Sequence, residues 1–246
     1  MKKLLFLDVE ATGVSEEDRL LQLAYRFDGG EFINDYFNPG TPIKVGAMAI
    51  HHVTEKDIAE KPQFRGSRTE SHLRDVRDQG ATFVAHNSAY DLGMLAKEGV
   101  NFASQICTLK IARFLDEECE MENHTLQYLR YYFGLEIQLG DLSPHDALAD
   151  IMVLEEVFYT LANNLCKKEG LKYEDVFERM IEISTQPSLI RKIGFGKHRG
   201  KLTAVVAKED KGYLEWLLKE KTKAPEGEED WIHTLNYFLG IKPSGV

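Results

Sequence analysis

No stretch of this 246-residue chain approaches the run of about eighteen apolar residues needed to cross a bilayer, so membrane insertion is excluded. The N-terminus falls short of an export signal as well. After Met1-Lys2-Lys3, the apolar run Leu4-Leu5-Phe6-Leu7 is broken by Asp8 and Glu10, whereas a signal needs about 7 to 15 apolar residues. Cysteine is scarce: Cys107, Cys119 and Cys166 are odd in number, far apart and without a Cys-x-x-Cys pair. Neither a disulfide framework nor a zinc knuckle is indicated, and a reducing, cytoplasmic setting is expected. Positive charge is also short. With 30 Lys and Arg against 40 Asp and Glu, the formal net charge is -10, which excludes coating nucleic acid by bulk electrostatics. Nucleic acid is not thereby lost as a substrate, because an acidic cluster filled with divalent cations presents a positive site. No internal repeat is found.

What is present fits one α/β domain with a small appendage. Residues 4 to 9 form an apolar run of strand length, and residues 20 to 27 and 31 to 38 read as a hairpin around Asp28-Gly29-Gly30. Thr54 with Asp57 three residues later predicts a capped short helix, residues 66 to 79 a surface helix, and Thr82 to Ala85 a buried strand. Asn87 or Ser88 is expected to cap the next helix. A strand at 105 to 107 follows, then helices at about 108 to 115, 124 to 133 and 145 to 165. In the last of these Ile151, Leu154, Phe158, Leu161 and Leu165 recur at helical spacing. The domain is expected to cover residues 1–185, with a small basic C-terminal module over 186–246. Residues 191 to 201 hold five Lys or Arg and no acid, and 219 to 230 read as a solvated connector before a final helix at about 230 to 239.

Four acids fall on faces that should be covered. Asp8 and Glu10, two apart on the first strand, project from the side that carries Leu4 and Phe6. Asp91 shares a helical stripe with Met94 and Leu95, and Asp150 shares one with Leu154, Val157 and Leu161. Two carboxylates about 5 Å apart at an effective dielectric of about 20 repel by roughly 3 kcal/mol, and an isolated buried carboxylate is costlier still. Oxygen ligands without His or Cys clusters favour Mg²⁺ or Mn²⁺, and a bridging carboxylate suits the two-ion spacing of phosphoryl chemistry. His145 is the candidate proton acceptor. On one continuous helix it would sit about 140° from Asp150, so Ser143 as N-cap and Pro144 in the first turn are expected to place it at the helix start.

Three motifs, in order, resemble the DEDDh exonuclease superfamily: Phe6-Leu7-Asp8-Val9-Glu10-Ala11-Thr12-Gly13, Ala85-His86-Asn87-Ser88-Ala89-Tyr90-Asp91 and His145-Asp146-Ala147-Leu148-Ala149-Asp150. The sister class places Tyr four residues before the last aspartate, where this chain has Asp146, so the histidine class is favoured. The first motif departs from the commonest form in having Ala11 where Thr is frequent. Within the superfamily, Ala47 to Thr54, Ile106 to Arg113, Phe195 to Lys201 and Gly212 to Leu217 resemble the exodeoxyribonuclease X group.

The resemblance implies a ribonuclease H-like fold with a mixed five-stranded sheet flanked by helices. It also implies 3′→5′ release of nucleoside 5′-monophosphates. It gives Asp8, Glu10, Asp91 and Asp150 the role of holding two Mg²⁺ or Mn²⁺ ions, with His145 as general base. Thr12 and Gly13 would meet the terminal 3′-hydroxyl, Ile50 and His51 the last base, and His86, Asn87 and Tyr90 the remaining wall. Lys197, Arg199 and Lys201 are candidates for phosphate contact. The partner expected is DNA with single-stranded or frayed 3′ ends, in repair or proofreading, and a homodimer is an assembly that such relatives adopt. RNA stays open as the alternative substrate, because contacts near the 2′ position are invisible to spacing. A binding or polymerase-associated module with a vestigial site is the alternative of another class, against which the intact five-residue set argues.

Overall fold

The computed structural model describes residues 2–241; residues 1 and 242–246, the outer ends of the two expected segments, lie outside the described residues. Strands β1 (Leu4–Ala11), β2 (Leu20–Phe27) and β3 (Phe32–Tyr36) open the chain. They are followed by helices α1 (Val45–His51), α2 (Glu55–Ile58) and α3 (Arg68–Asp78), strand β4 (Thr82–Ala85), helix α4 (Ser88–Lys97) and strand β5 (Gln105–Cys107). Helices α5 (Thr108–Leu115), α6 (Leu126–Tyr132), α7 (Ala147–Glu169) and α8 (Val176–Thr185) complete the first body. A 3-10 turn (Gly196–His198) and helices α9 (Thr203–Glu209), α10 (Lys211–Lys221) and α11 (Glu229–Leu239) form the C-terminal part. Among the described residues no helix is long and apolar enough to cross a membrane.

The sheet is five-stranded in the order β3-β2-β1-β4-β5. β1 pairs antiparallel with β2 and parallel with β4, and β5 extends the parallel side, giving the mixed sheet expected. The β2–β3 hairpin turns at Asp28 (φ 50) and Gly29 (φ 74), the two positive φ values that a type I′ turn demands. Alternation along β1 then divides two cores. Leu5, Leu7, Val9 and Ala11 pack with Leu73 and Val76 of α3 and Met94 and Leu95 of α4. Leu4 and Phe6 pack with Leu154, Val157, Phe158 and Leu161 of α7, the Phe6 and Phe158 rings meeting edge-on at 5.2 Å. Asp8 and Glu10 continue this second series, at the end of β1 that faces the start of α7.

Three local expectations are corrected. α7 starts at Ala147 rather than His145, and its N-cap is Asp146 instead of Ser143: Asp146 Oδ1 accepts the Leu148 N–H at 2.9 Å. His145, at φ 66, lies in the left-handed region, through which a right-handed helix does not run. Asn87 does occupy the N-cap position of α4, but at φ 65 and without a side-chain cap bond. The connector is shorter than 219 to 230. Lys219 and Lys221 belong to the last turn of α10, and Glu229 and Asp230 to the first turn of α11, where those charges complement the helix dipoles. The Thr54–Asp57 capping box forms as expected.

The C-terminal helices bury Ile193, Val206, Leu214, Leu217 and Leu235 in a cluster of their own. Polar ties hold this part to the sheet-bearing body: Arg113 Nη1 lies 2.8 Å from Asp230 Oδ2, and Lys192 Nζ donates to the Met121 carbonyl at 2.7 Å.

Candidate active site

Strand and helix ends carry the four acids to one place. Asp8 and Glu10 stand on the last residues of β1, Asp91 in the first turn of α4 and Asp150 in the first turn of α7. Asp91 is 2% exposed and Asp150 8%. Asp91 Oδ1 accepts the Val9 N–H at 3.1 Å, which ties α4 to β1 between the two acids of the strand. Asp150 is held at both oxygens: Gln127 Nε2 donates to Oδ1 at 2.8 Å and the backbone N–H of His145 to Oδ2 at 3.0 Å.

Crowding of negative charge in a dry place shows in the proton affinities. Burial, then the charges of Asp91, Asp150, Glu10 and Asp146, holds the Asp8 carboxyl well above the usual range. Burial, then Asp150, Asp91 and Asp146, pushes Glu10 up to about 8. Burial likewise raises Asp91 to about 8 against the opposing pull of the Val9 N–H, and raises Asp150 against its bonds from Gln127 and His145. Four carboxyls that resist ionisation individually become good ligands once a hard cation supplies the missing positive charge. Their all-oxygen donor set fits Mg²⁺ or Mn²⁺. A carboxylate oxygen from each of Glu10 and Asp150 and a ring nitrogen of His145 lie within 4.8 Å of one another.

The left-handed backbone at His145 resolves the 140° conflict read from the sequence. The chain doubles back ahead of α7, its N–H closing on Asp150, and the imidazole of this exposed residue comes to the acids without sharing their helix.

The other candidates separate into those gathered with the acids and those that are not. Tyr90 is half-buried, and its hydroxyl is held well above its ordinary value by burial, then by Glu10, Asp91 and Asp8, which places it beside them. His86 is tied elsewhere: its Nδ1 lies 3.0 Å from Thr108 Oγ1 of α5, and burial brings it down to about 4. Asn87 is exposed next to it. Thr12 is fully buried, its Oγ1 donating to Asp18 Oδ1 at 3.0 Å and accepting the Arg19 N–H at 3.1 Å, so its hydroxyl organises the loop after β1.

Gly13 serves the same loop. A Cβ there would stand 2.5 Å from Asp18 Oδ2 and 2.7 Å from Lys44 Cδ. Burial alone would raise Asp18, but hydrogen bonds from Lys44, Ser15 and Thr12 bring it down to about 2, so the pair is firm. Gly13→Ala is expected to cost about 1–3 kcal/mol by forcing that pair apart. Urea unfolding with an unchanged midpoint would show that the loop simply yields.

Ile50 is half exposed on α1. His51 is buried, its Nδ1 accepting the Val53 N–H at 3.0 Å and its Nε2 left without a partner. In the C-terminal part Lys197 pairs with Asp210 at 2.6 Å and Lys201 with Glu209 at 3.1 Å. Arg199 has no ion pair among the described residues.

Two residues at the site escaped the sequence reading. Asp146 lies inside the third motif, where the sequence shows only that tyrosine is missing. It caps α7 and adds its charge to Asp8 and Glu10. Gln127 had one usable signal, its place two residues after the Thr125 cap of a short helix; nothing in one sequence says which carboxylate it meets. With its own Oε1 buried and unpartnered, its amide has one engaged end, on Asp150. Gln127→Leu is expected to weaken Mn²⁺ binding about 10- to 100-fold, as loss of a ligand's supporting hydrogen bond does. Calorimetric titration with Mn²⁺ checks this, and unaltered affinity would leave Gln127 a packing residue.

Comparison with known proteins meets this geometry. The RNase_T exonuclease family matches residues 5–158. Exodeoxyribonuclease 10 of Escherichia coli K12 is 33% identical over 183 residues, 73% of either chain. The DNA polymerase III epsilon subunit of Buchnera aphidicola is 26% identical over 204 residues, 73% of this chain and 82% of its own. Among solved structures, exonuclease X in complex with 5′-overhanging duplex DNA superposes with a TM-score of 0.54 at 23% identity, over 75% of this chain and 99% of that one. The shared fold is the ribonuclease H-like sheet with its flanking helices.

Proposed function

This chain belongs to the RNase_T exonuclease family and is a metal-dependent 3′→5′ exonuclease; from that premise we propose that it trims DNA 3′ ends by a two-metal mechanism with His145 as general base. The observation that carries this reading is the convergence of Asp8, Glu10, Asp91 and Asp150, whose carboxyls are raised by burial and mutual repulsion, with the imidazole of His145 beside two of them.

The four carboxylates would hold two Mg²⁺ or Mn²⁺ ions, with Asp8 central among the acids that raise it. Bound there, the ions would supply positive charge to the attacking water and to the leaving 3′-oxygen. His145 takes the proton of that water. Its ring stands outside α7 and is exposed, so a proton accepted there can pass to solvent. Ile50, half exposed on α1, covers the terminal base, and Tyr90 lines the wall by the acids. Thr12 and Gly13 shape the loop that receives the terminal 3′-hydroxyl. DNA as substrate is supported by the likeness to exodeoxyribonuclease 10; of Lys197, Arg199 and Lys201, Arg199 is without an ion pair among the described residues and so is the one best supported for phosphate contact, Lys197 and Lys201 being paired with Asp210 and Glu209. The division into an exonuclease domain over 1–185 and a module over 186–246 is supported by the separate hydrophobic cluster of the C-terminal helices. The three free cysteines support a reducing, cytoplasmic setting.

The test presents DNA labelled at either end, as single strand and as duplex, with RNA alongside, in Mg²⁺, Mn²⁺ or EDTA. Mononucleotide release from the 3′ end of DNA, abolished by EDTA, is expected; preference for RNA overturns the substrate assignment. His145→Asn is expected to lower kcat about 10²- to 10⁴-fold and to change the pH–rate profile. An unchanged profile removes His145 as the base.

A further inference from the structure

Away from the carboxylates, a cavity of about 580 Å³ lies where α5 and α8 meet the segment 185–191 and His233 of α11. Its size falls in the range of about 300–1,000 Å³ common to small-molecule sites. Lys110, Arg113 and Arg191 line it. Among the described residues one carboxylate answers the three: Asp230, 2.8 Å from Arg113 Nη1 and 3.8 Å from Lys110 Nζ. Arg191 has no ion pair there, and its guanidinium donates to the Arg113 carbonyl at 3.1 Å. Three cations facing one anion leave an excess of positive charge at a partly buried surface, in a chain whose net charge is -10.

The rest of the lining limits what that excess can attract. Glu117 and Glu182 also border the cavity, paired with Lys168 at 3.2 Å and with Arg179 at 3.0 Å. A continuous nucleic-acid strand threaded through would bring further phosphates against these acids, whereas a single phosphate at the Lys110–Arg113–Arg191 group avoids them. Phe114, over whose ring lie Lys168 Nζ at 5.3 Å and Arg179 Cζ at 5.5 Å, and buried Ile183 give the cavity an apolar flank.

We propose that this cavity binds a nucleoside 5′-monophosphate, with its phosphate at Lys110, Arg113 and Arg191 and its base against Phe114 and Ile183. The choice of nucleotide rests on the exonuclease reading, since this is the molecule that the reaction releases.

The experiment titrates the full chain calorimetrically with deoxyadenosine 5′-monophosphate in EDTA, where no cation can hold a nucleotide at the carboxylates. One-to-one binding is expected. It should weaken about tenfold or more in R191Q and in K110Q, each verified as folded by its melting curve, and be unchanged in D8A. Absence of binding at millimolar nucleotide, indifference to both substitutions, or loss in D8A overturns the proposal. Inorganic phosphate is the second probe: binding as tight as the nucleotide's means an oxyanion site without base recognition and overturns it too. Release of mononucleotides from DNA in Mg²⁺ is measured apart from these titrations, so the cavity and the exonuclease reading fail separately.

Discussion

Asp8→Ala is expected to lower kcat on single-stranded DNA by on the order of 10⁴-fold or more, with the far-UV spectrum of the folded chain retained. The expectation follows from position. Asp8 stands on the central strand of the sheet, and Asp91, Asp150, Glu10 and Asp146 all act on its carboxyl. Removing it would take away the carboxylate on which the other acids converge, whereas removing a peripheral acid would leave that centre in place. The loss should persist in saturating Mn²⁺, because excess cation does not replace a missing carboxylate ligand. Release of mononucleotide from end-labelled DNA measures it. A variant that keeps a tenth of the activity would move Asp8 out of the centre of the chemistry.

The second large effect is on stability. With cations chelated, the protein is expected to lose stability as pH rises from about 5 to about 8, by on the order of 5 kcal/mol for the acidic cluster as a whole. Glu10 binds its proton up to about 8 in the folded chain against 4.5 as a free side chain, and Asp91 up to about 8 against 3.8. Between those limits the folded state carries protons that the unfolded state releases, so unfolding free energy falls with pH. The contribution is fully present below the unfolded values and is lost as pH passes through the folded ones. Melting curves in EDTA should drop by about 10 to 20 °C over this interval for a chain of this size. Mn²⁺ at pH 8 should recover the difference, since an ion that binds only the folded state stabilises it. A melting temperature that does not respond to pH in EDTA would mean that these acids are solvated and not crowded.

The central features of this arrangement were readable from residue order because they rest on short-range rules. The face shared by Asp8, Glu10, Leu4 and Phe6 follows from strand alternation, and the stripe of Asp150 with Leu154, Val157 and Leu161 from helical spacing. The Asp28-Gly29 turn and the Thr54–Asp57 box are local chemistry of the same kind. What escaped depended on which of several local options the tertiary structure selects. Ser143-Pro144 and Asp146 are both plausible helix starts, and the bond from His145 N–H to Asp150 belongs to the structure with the later one. α1 carries no strong cap signal, since Lys44 at its N-cap makes no capping bond and turns its side chain to Asp18 instead. The Gln127–Asp150 contact joins residues 23 apart on two helices, and the pairing of Lys197 and Lys201 with Asp210 and Glu209 requires the C-terminal helices to be packed first. The second motif groups His86 with the site, yet its ring meets Thr108 of α5, a contact between residues 22 apart that a motif does not reveal.

The contact between positions 145 and 150 is made by main-chain nitrogen and not by the imidazole, so the loop has no stake in which side chain it displays. Any amino acid that accepts a positive φ can stand there while the doubling-back survives, with asparagine and glycine the most comfortable and valine or isoleucine the least. Scaffolding is thereby uncoupled from side-chain identity at this residue, so under the proposed mechanism it is a socket into which proton acceptors of other strengths would fit without refolding their surroundings.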